Sequence, residues 1–96
     1  MRLRANEIKI IKSTVLKQIG DATIILFGSR ADDSRRGGDI DLLVKTGHRS
    51  SLNDKLKILT DLERNGIMRK VDLLIQTPYT KEQAIFKTAE EEGVLL

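Results

Sequence analysis

The chain has 96 residues, a formal net charge of +3 and no cysteine. The absence of cysteine excludes disulfide bonds and cysteine-ligated zinc, and the length predicts a single domain over residues 1–96. No apolar run is long enough to cross a bilayer, and the basic first residues lack the apolar segment of a secretory signal. We therefore expect a cytoplasmic protein without a membrane partner.

Basic and acidic residues are interleaved along the chain, and the three aromatic residues, Phe27, Tyr79 and Phe86, are scattered. Nucleic-acid-binding domains usually concentrate their basic residues in one stripe and often add stacking aromatics. Nucleic acid is therefore not expected as a direct ligand.

The first half of the chain predicts a helix and a strand. Over about residues 7–19, apolar residues recur on one helical face, with Asn6 as a candidate N-cap and Gly20 at the expected end. The apolar, β-branched run 22–27 predicts a buried strand. The polar stretch 30–38 predicts a short helical turn followed by a loop. The face of the helix consists of Ile8, Ile11, Val15 and Ile19.

The second half predicts two further strands, over residues 40–44 and 71–75. Between them, leucines at helical spacing predict a helix that Gly66 ends. The leucines are Leu52, Leu56, Leu59 and Leu62.

After Pro78, Thr80 and Gln83 form a capping-box pattern that opens a last helix, which runs to about residue 92. The apolar tail 94–96 is expected to pack on the chain's own sheet. This order predicts an α/β (α+β) fold, a small mixed sheet of three to four strands with helices packed mainly on one face.

Asp39 and Asp41 form an Asp-x-Asp pattern where the second predicted strand begins. Because side chains alternate along a strand, both carboxylates point to the same face. Carboxylates that close raise each other's pKa unless a cation lies between them. A magnesium ion would relieve this repulsion, because it prefers oxygen ligands.

Asp72 interrupts the apolar pattern of the third predicted strand. If this strand pairs beside the second, Asp72 stands next to Asp41 and completes a two-metal site. The alternative is an exposed edge-strand acid that pairs with Arg69 or Lys70.

Gly28, Ser29 and Arg30 follow the first predicted strand. A glycine there lets the backbone approach a ligand closely, the next turn offers free N–H groups to phosphate oxygens, and the Ser29 hydroxyl adds a hydrogen bond. Arg30 can contact phosphate, or it is an ordinary surface residue. A phosphate cradle beside a metal site is what phosphoryl-type transfer needs.

Gly28-Ser29, followed nine residues later by Asp39-Ile40-Asp41-Leu42, resembles the signature of the minimal nucleotidyltransferases of the DNA polymerase beta-like superfamily. The resemblance covers nearly the whole chain and extends to the strand that carries Asp72. It implies ATP as substrate, two Mg²⁺ ions held by Asp39, Asp41 and Asp72, and the triphosphate at Gly28 and Ser29. It also implies that Asp72 helps to activate the attacking hydroxyl.

The chain departs from the family pattern between these motifs. Many members have a glycine soon after the Gly-Ser and a serine before the first aspartate, where this chain has Asp32-Asp33 and Gly38. The pattern of metal ligands is intact, so the departure is expected to affect the flexibility of the loop and the binding of the nucleotide.

The resemblance also bears on the acceptor. A chain of this length leaves no room for an acceptor-binding domain, so a second polypeptide is expected to supply the acceptor. The resemblance points to a HEPN-domain toxin, which the chain would silence by transferring AMP to a hydroxyl. Two alternatives remain: a non-catalytic antitoxin or protein-binding module of the same fold, and a nucleotidyltransferase that acts on a small molecule. Clustered acids favour the enzyme, because a pure binder has no reason to tolerate their repulsion.

Overall fold

The computed structural model describes residues 3–28 and 39–96. Its elements follow the order α1 (Ala5–Ile19), β1 (Thr23–Phe27), β2 (Ile40–Lys45), α2 (Leu52–Arg64), β3 (Val71–Gln76), α3 (Ala84–Glu92) and β4 (Val94–Leu95). The strands form one sheet in the order β3-β2-β1-β4. β2 and β3 are parallel, whereas β1 is antiparallel to both β2 and β4. The predicted mixed α+β fold is confirmed, and the described residues form a sheet of four strands.

The sheet has two unequal faces. Helices α1 and α2 cover one face, where they bury the larger apolar cluster. α3 covers part of the other face with Phe86 and Ala89, which pack against Ile25 and Leu43. The larger cluster contains Ile11 and Val15 of α1, Ile58 and Leu62 of α2, and Ile24, Leu26, Ile40, Leu42, Val44 and Leu73 of the sheet, together with Ile67. Two of the three helices in the described part of the chain therefore share one face, as expected.

α1 begins earlier than its sequence predicts. Arg4 is the N-cap, and its backbone N–H donates to the Glu7 carboxylate at 3.0 Å. Asn6 lies inside the first turn, so its prediction as N-cap is wrong. Glu7, the third residue of the helix, accepts the N–H of the N-cap residue, as the acid of a capping box does. Gly20 ends the helix as predicted, at φ +93°, and its N–H donates to the Leu16 carbonyl at 2.8 Å.

α2 forms where predicted, and Leu59 and Leu62 of the predicted stripe pack in the core, but the first two leucines of the stripe do not. Leu52 is 69% exposed and Leu56 is 53% exposed, whereas Ile58 and Leu62 are buried. Contacts with α1 and with the sheet decide which side of α2 is buried. The spacing of the leucines alone does not reveal these contacts. Ser51 caps the helix by accepting the Asp54 N–H.

α3 begins at Ala84, later than the Thr80 pattern predicts. Thr80 instead closes a turn, because its hydroxyl accepts the Thr77 N–H at 3.0 Å. A hydroxyl that is already engaged in this turn does not cap a helix. Glu90 of α3 forms an ion pair with Lys45 of β2, which ties the helix to the sheet.

The tail packs on the chain's own sheet, as expected, by forming β4 against β1. Gly93 precedes this strand, and a Cβ atom there would collide with Leu26 and Ile25. The absence of a side chain therefore permits the tail to reach the sheet. In residues 3–28 and 39–96, no helix is long and apolar enough to cross a membrane.

Candidate active site

The two central acids of the site are adjacent across a strand pair. β2 and β3 run parallel, and Asp41 is the register partner of Asp72. Paired strands lie about 5 Å apart, and residues in register point to the same face. This is the face that α3 covers only in part, since Leu43 and Leu74, two positions further on, pack toward Phe86. The structure thus places Asp72 beside Asp41, as the sequence predicts.

The surroundings of Asp41 disfavour the charged form of its carboxyl group. Partial burial raises the pKa of its carboxyl above the ordinary value of 3.8, and the nearby charges of Asp72 and Asp39 and a hydrogen bond with Asp72 raise it further. Each of these effects disfavours a negative charge at Asp41. The site therefore favours either a proton or a cation between the carboxylates.

Gly28 brings the end of β1 directly against this pair. Phe27 is the register partner of Asp41 on the other side of β2, and Gly28 follows it at φ +72°. A Cβ atom at Gly28 would lie 3.2 Å from Asp41 Cγ and would collide with Oδ2. Both the positive φ and the close approach require glycine here, so Gly28 meets Asp41 of the Asp-x-Asp motif.

Asp39 lies immediately before β2 and is exposed. Its charge reaches Asp41, because it contributes to the raised pKa of that carboxyl. Among the described residues, however, no group of three or more histidines and acids is arranged closely enough to hold a metal ion. The carboxylates that meet across the strand pair are those of Asp41 and Asp72.

Asp72 also has a basic neighbour. Lys70 Nζ lies 3.8 Å from Asp72 Oδ1, and the two side chains are 72% and 51% exposed. β3 is an edge strand, so the structural alternative for Asp72, an exposed edge acid paired with Lys70, has a geometric basis. An exposed pair of this length contributes little to stability.

The remaining predicted site residues, Ser29 and Arg30, lie outside the described residues, as does the predicted helical turn over 30–38. The part of the site that is described fits a divalent cation in its donor chemistry. Asp41 and Asp72 offer oxygen ligands, which Mg²⁺ prefers, and their mutual repulsion is relieved by positive charge.

Comparison with known families decides the class of the protein. A family model described as "Polymerase beta, Nucleotidyltransferase" matches residues 9–96. The chain belongs to this nucleotidyltransferase family. The match spans Gly28, Asp39, Asp41 and Asp72, so the family assignment includes every strand that builds the site. Nucleotidyltransferases of this family act on nucleotide substrates and use a divalent metal.

A solved structure supports the fold of this nucleotidyltransferase. The structure is described as "Crystal structure of putative nucleotidyltransferase" and superposes with a TM-score of 0.62 at 24% sequence identity. The alignment covers 96% of this chain and 99% of that one. Identity at this level establishes a shared fold alone. No curated protein matches the chain in sequence.

Proposed function

We propose that this nucleotidyltransferase transfers AMP from ATP to a hydroxyl group of a partner protein, with magnesium bound by Asp39, Asp41 and Asp72. The observation that carries the proposal is the in-register pair of Asp41 and Asp72 with the Gly28 backbone against the Asp41 carboxylate. Two neighbouring acids that repel each other suit a triphosphate that brings its own cations.

In the proposed reaction, the acceptor oxygen forms a bond to the α-phosphorus of ATP while the bond to the β-phosphate bridging oxygen breaks, and pyrophosphate leaves. Bound magnesium would neutralise the triphosphate and stabilise the charge that develops on its oxygens. Asp72, which is half exposed, takes the proton of the attacking hydroxyl. Gly28 and Ser29 hold the triphosphate, and Arg30 adds a positive charge to it.

The proposed acceptor is a HEPN-domain toxin, and AMP transfer would silence it. A docked protein can position its hydroxyl opposite the leaving pyrophosphate, as in-line attack requires. The added AMP is bulky and anionic, so it would block an RNA-cleaving site by repulsion and steric exclusion. The competing function is inhibition by binding alone, without chemistry.

Intact-mass spectrometry separates these functions. The chain is mixed with a purified HEPN-domain partner, ATP and magnesium, and the partner is expected to gain the mass of one AMP residue. Omission of magnesium, addition of chelator or the Asp39→Asn/Asp41→Asn variant should each abolish the gain. An unmodified partner that is inhibited equally by the wild type and the double variant would overturn the enzymatic proposal and support the binding module.

A further inference from the structure

A basic groove runs between α1 and α2, on the side of these helices that faces away from the sheet. It has a volume of about 810 Å³. The helices are antiparallel where they meet: Gln18 donates to Asp54 at 2.9 Å at one end, and Asn65 donates to Thr14 at 3.5 Å toward the other. These contacts fix the groove as a feature of the fold.

The groove gathers positive charge. Four exposed basic residues line it, Lys9 and Lys17 from α1 and Lys57 and Arg64 from α2, against a single described acid, Asp61. The lining residues carry a net charge of +3, and a second acid, Asp54, lies at one end of the groove, where it accepts from Gln18. No described acid forms an ion pair with any of the four cations.

Each helix contributes two of the four cations. Eight residues separate the lysines of α1 and seven separate the cations of α2, which corresponds to about 10–12 Å along either helix. The two cations of each helix are thus far enough apart to contact different phosphates of a nucleic-acid backbone.

The lining favours a nucleic-acid backbone over a protein surface. Ile10 is the only hydrocarbon side chain among the described residues that line the groove, and none of them is aromatic. Protein interfaces are depleted in lysine and depend on apolar and aromatic anchors, whereas nucleic-acid interfaces are polar and strongly positive. Without aromatics, the groove has no platform on which unpaired bases could stack.

We propose that the α1–α2 groove binds the phosphodiester backbone of a double-stranded nucleic acid without reading its sequence. The proposal departs from the expectation drawn from the sequence, in which the basic residues look interleaved with acids. It does not depend on the proposed transfer activity, because the groove and the Asp41–Asp72 pair lie on opposite sides of the sheet.

Fluorescence anisotropy tests the proposal with labelled duplex DNA and duplex RNA, each of two unrelated sequences. The wild-type chain should bind both sequences of at least one duplex type equally, and tighter than a single strand. Contact of four cations with phosphates predicts a slope of about −3 to −4 for log affinity against log salt, or a loss of about 100-fold between about 50 and 200 mM salt. DNA and RNA titrations show which duplex fits the groove.

Charge reversal locates the site. Lys57→Glu/Arg64→Glu and Lys9→Glu/Lys17→Glu should each weaken binding at least tenfold and reduce the magnitude of the salt slope by about 2. The matched control, Lys81→Glu/Lys87→Glu, changes the net charge equally but alters exposed lysines on and next to α3, and should weaken binding less than threefold. Circular-dichroism melting shows whether each variant is folded. Where a Glu variant does not fold, the same positions are changed to Gln, and the groove variants should still weaken binding more than the control, by smaller factors.

Three results would overturn the proposal. The first is no duplex binding by the wild type at low salt. The second is equal weakening by the groove and control variants, which would indicate attraction to net charge alone. The third is groove-dependent binding of labelled poly-glutamate with no binding of either duplex, which would assign the groove to an acidic protein segment.

Discussion

The acidic site and the basic groove differ in how the fold holds their charges. Strand register and a glycine backbone fix the Asp41 and Asp72 carboxylates side by side, and partial burial makes the charge on Asp41 unfavourable. The basic groove instead carries its charges on long, exposed side chains, which solvent and salt screen. The comparison indicates that short acids held in place by the backbone repel each other unless a cation or a proton is bound between them. Long, flexible basic side chains attract anions but do not require one.

The largest expected effect comes from removing one charge of the acidic site. Asp41→Asn keeps the size and shape of the side chain but removes a metal-binding charge. AMP transfer should fall at least about 100-fold, because bound metal contributes several kcal/mol to such reactions. The melting temperature should stay the same or rise, because repulsion between carboxylates is relieved.

Transfer is measured by intact mass of the partner, and stability by thermal melting in chelator. Asp21→Asn, an exposed acid before β1, is the matched control and should keep full transfer. Duplex binding by Asp41→Asn should equal that of the wild type, if the two charged regions act separately. An Asp41→Asn chain that unfolds would make this residue structural and the proposed role wrong.

Glycine substitutions separate backbone strain from disturbance of the site. Gly28→Ala should lower the melting temperature by several degrees, because a side chain at φ +72° is strained by about 1 kcal/mol or more. It should also weaken binding of magnesium–ATP, because its Cβ displaces the Asp41 carboxylate. Gly20→Ala has strain at φ +93° but no neighbour within 4 Å, so it should lower the melting temperature and leave nucleotide affinity unchanged.

Gly47→Ala completes this series, because Gly47 has neither a positive φ nor a close neighbour. Both its stability and its nucleotide affinity should match the wild type. Isothermal titration with magnesium–ATP and thermal melting provide the two measurements. Equal nucleotide affinities for Gly28→Ala and Gly20→Ala would show that Gly28 has no special relation to the site.

Asp41 and Asp54 should change the pH dependence of stability in opposite directions. The folded chain raises the pKa of Asp41, chiefly through burial and the charge of Asp72. The contribution of Asp41 to the free energy of unfolding is therefore greatest below pH 3.8, the ordinary pKa of the group. It is lost as the pH rises through the raised pKa of the folded state. Asp54 behaves in reverse: hydrogen bonds from the Ser51 backbone and the Gln18 side chain lower its pKa, so its contribution is lost as the pH falls through the lowered value.

Urea unfolding in chelator from about pH 3 to 8 measures both effects. The free energy of unfolding of Asp41→Asn, relative to the wild type, should increase with pH, and that of Asp54→Asn should decrease. Parallel curves for Asp41→Asn and the wild type would show that the Asp41 proton is not held by the fold.

The smallest expected effect concerns Lys70. Its ion pair with Asp72 is exposed, so Lys70→Ala should change the free energy of unfolding by less than about 1 kcal/mol and leave magnesium–ATP affinity within about twofold. Asp72→Asn should instead weaken that affinity at least tenfold. Equal effects of the two variants would mean that Asp72 serves only as the partner of Lys70, and the metal site would lose its third acid.

Local chemistry explains why the sequence was sufficient for much of the fold. Short apolar runs with β-branched residues predicted three strands to within one residue at either end, and the helix before Gly20 ends where predicted. The Asp-x-Asp pattern and Gly28 indicated where an anion and a metal could meet. These predictions rest on residues close in sequence, whose preferences the rest of the molecule did not override.

Other features depend on contacts between distant residues. Leucine spacing gave the position of α2, but contact with α1 and the sheet decided that Ile58, rather than Leu52, is buried. Thr80 joined a turn with Thr77 instead of capping α3. β4 is only two residues long, and its pairing with β1 depends on a close approach at Gly93.

The sequence by itself determined which residue types could perform chemistry: three aspartates, a glycine after a buried strand, and basic residues without a visible cluster. Only the tertiary structure decided their grouping. Parallel pairing of β2 with β3 brought Asp72 to Asp41, and antiparallel packing of α1 on α2 gathered lysines some 40 residues apart into one groove. The physical reason is that electrostatic interactions depend on distance in space, which folding sets through register and helix packing.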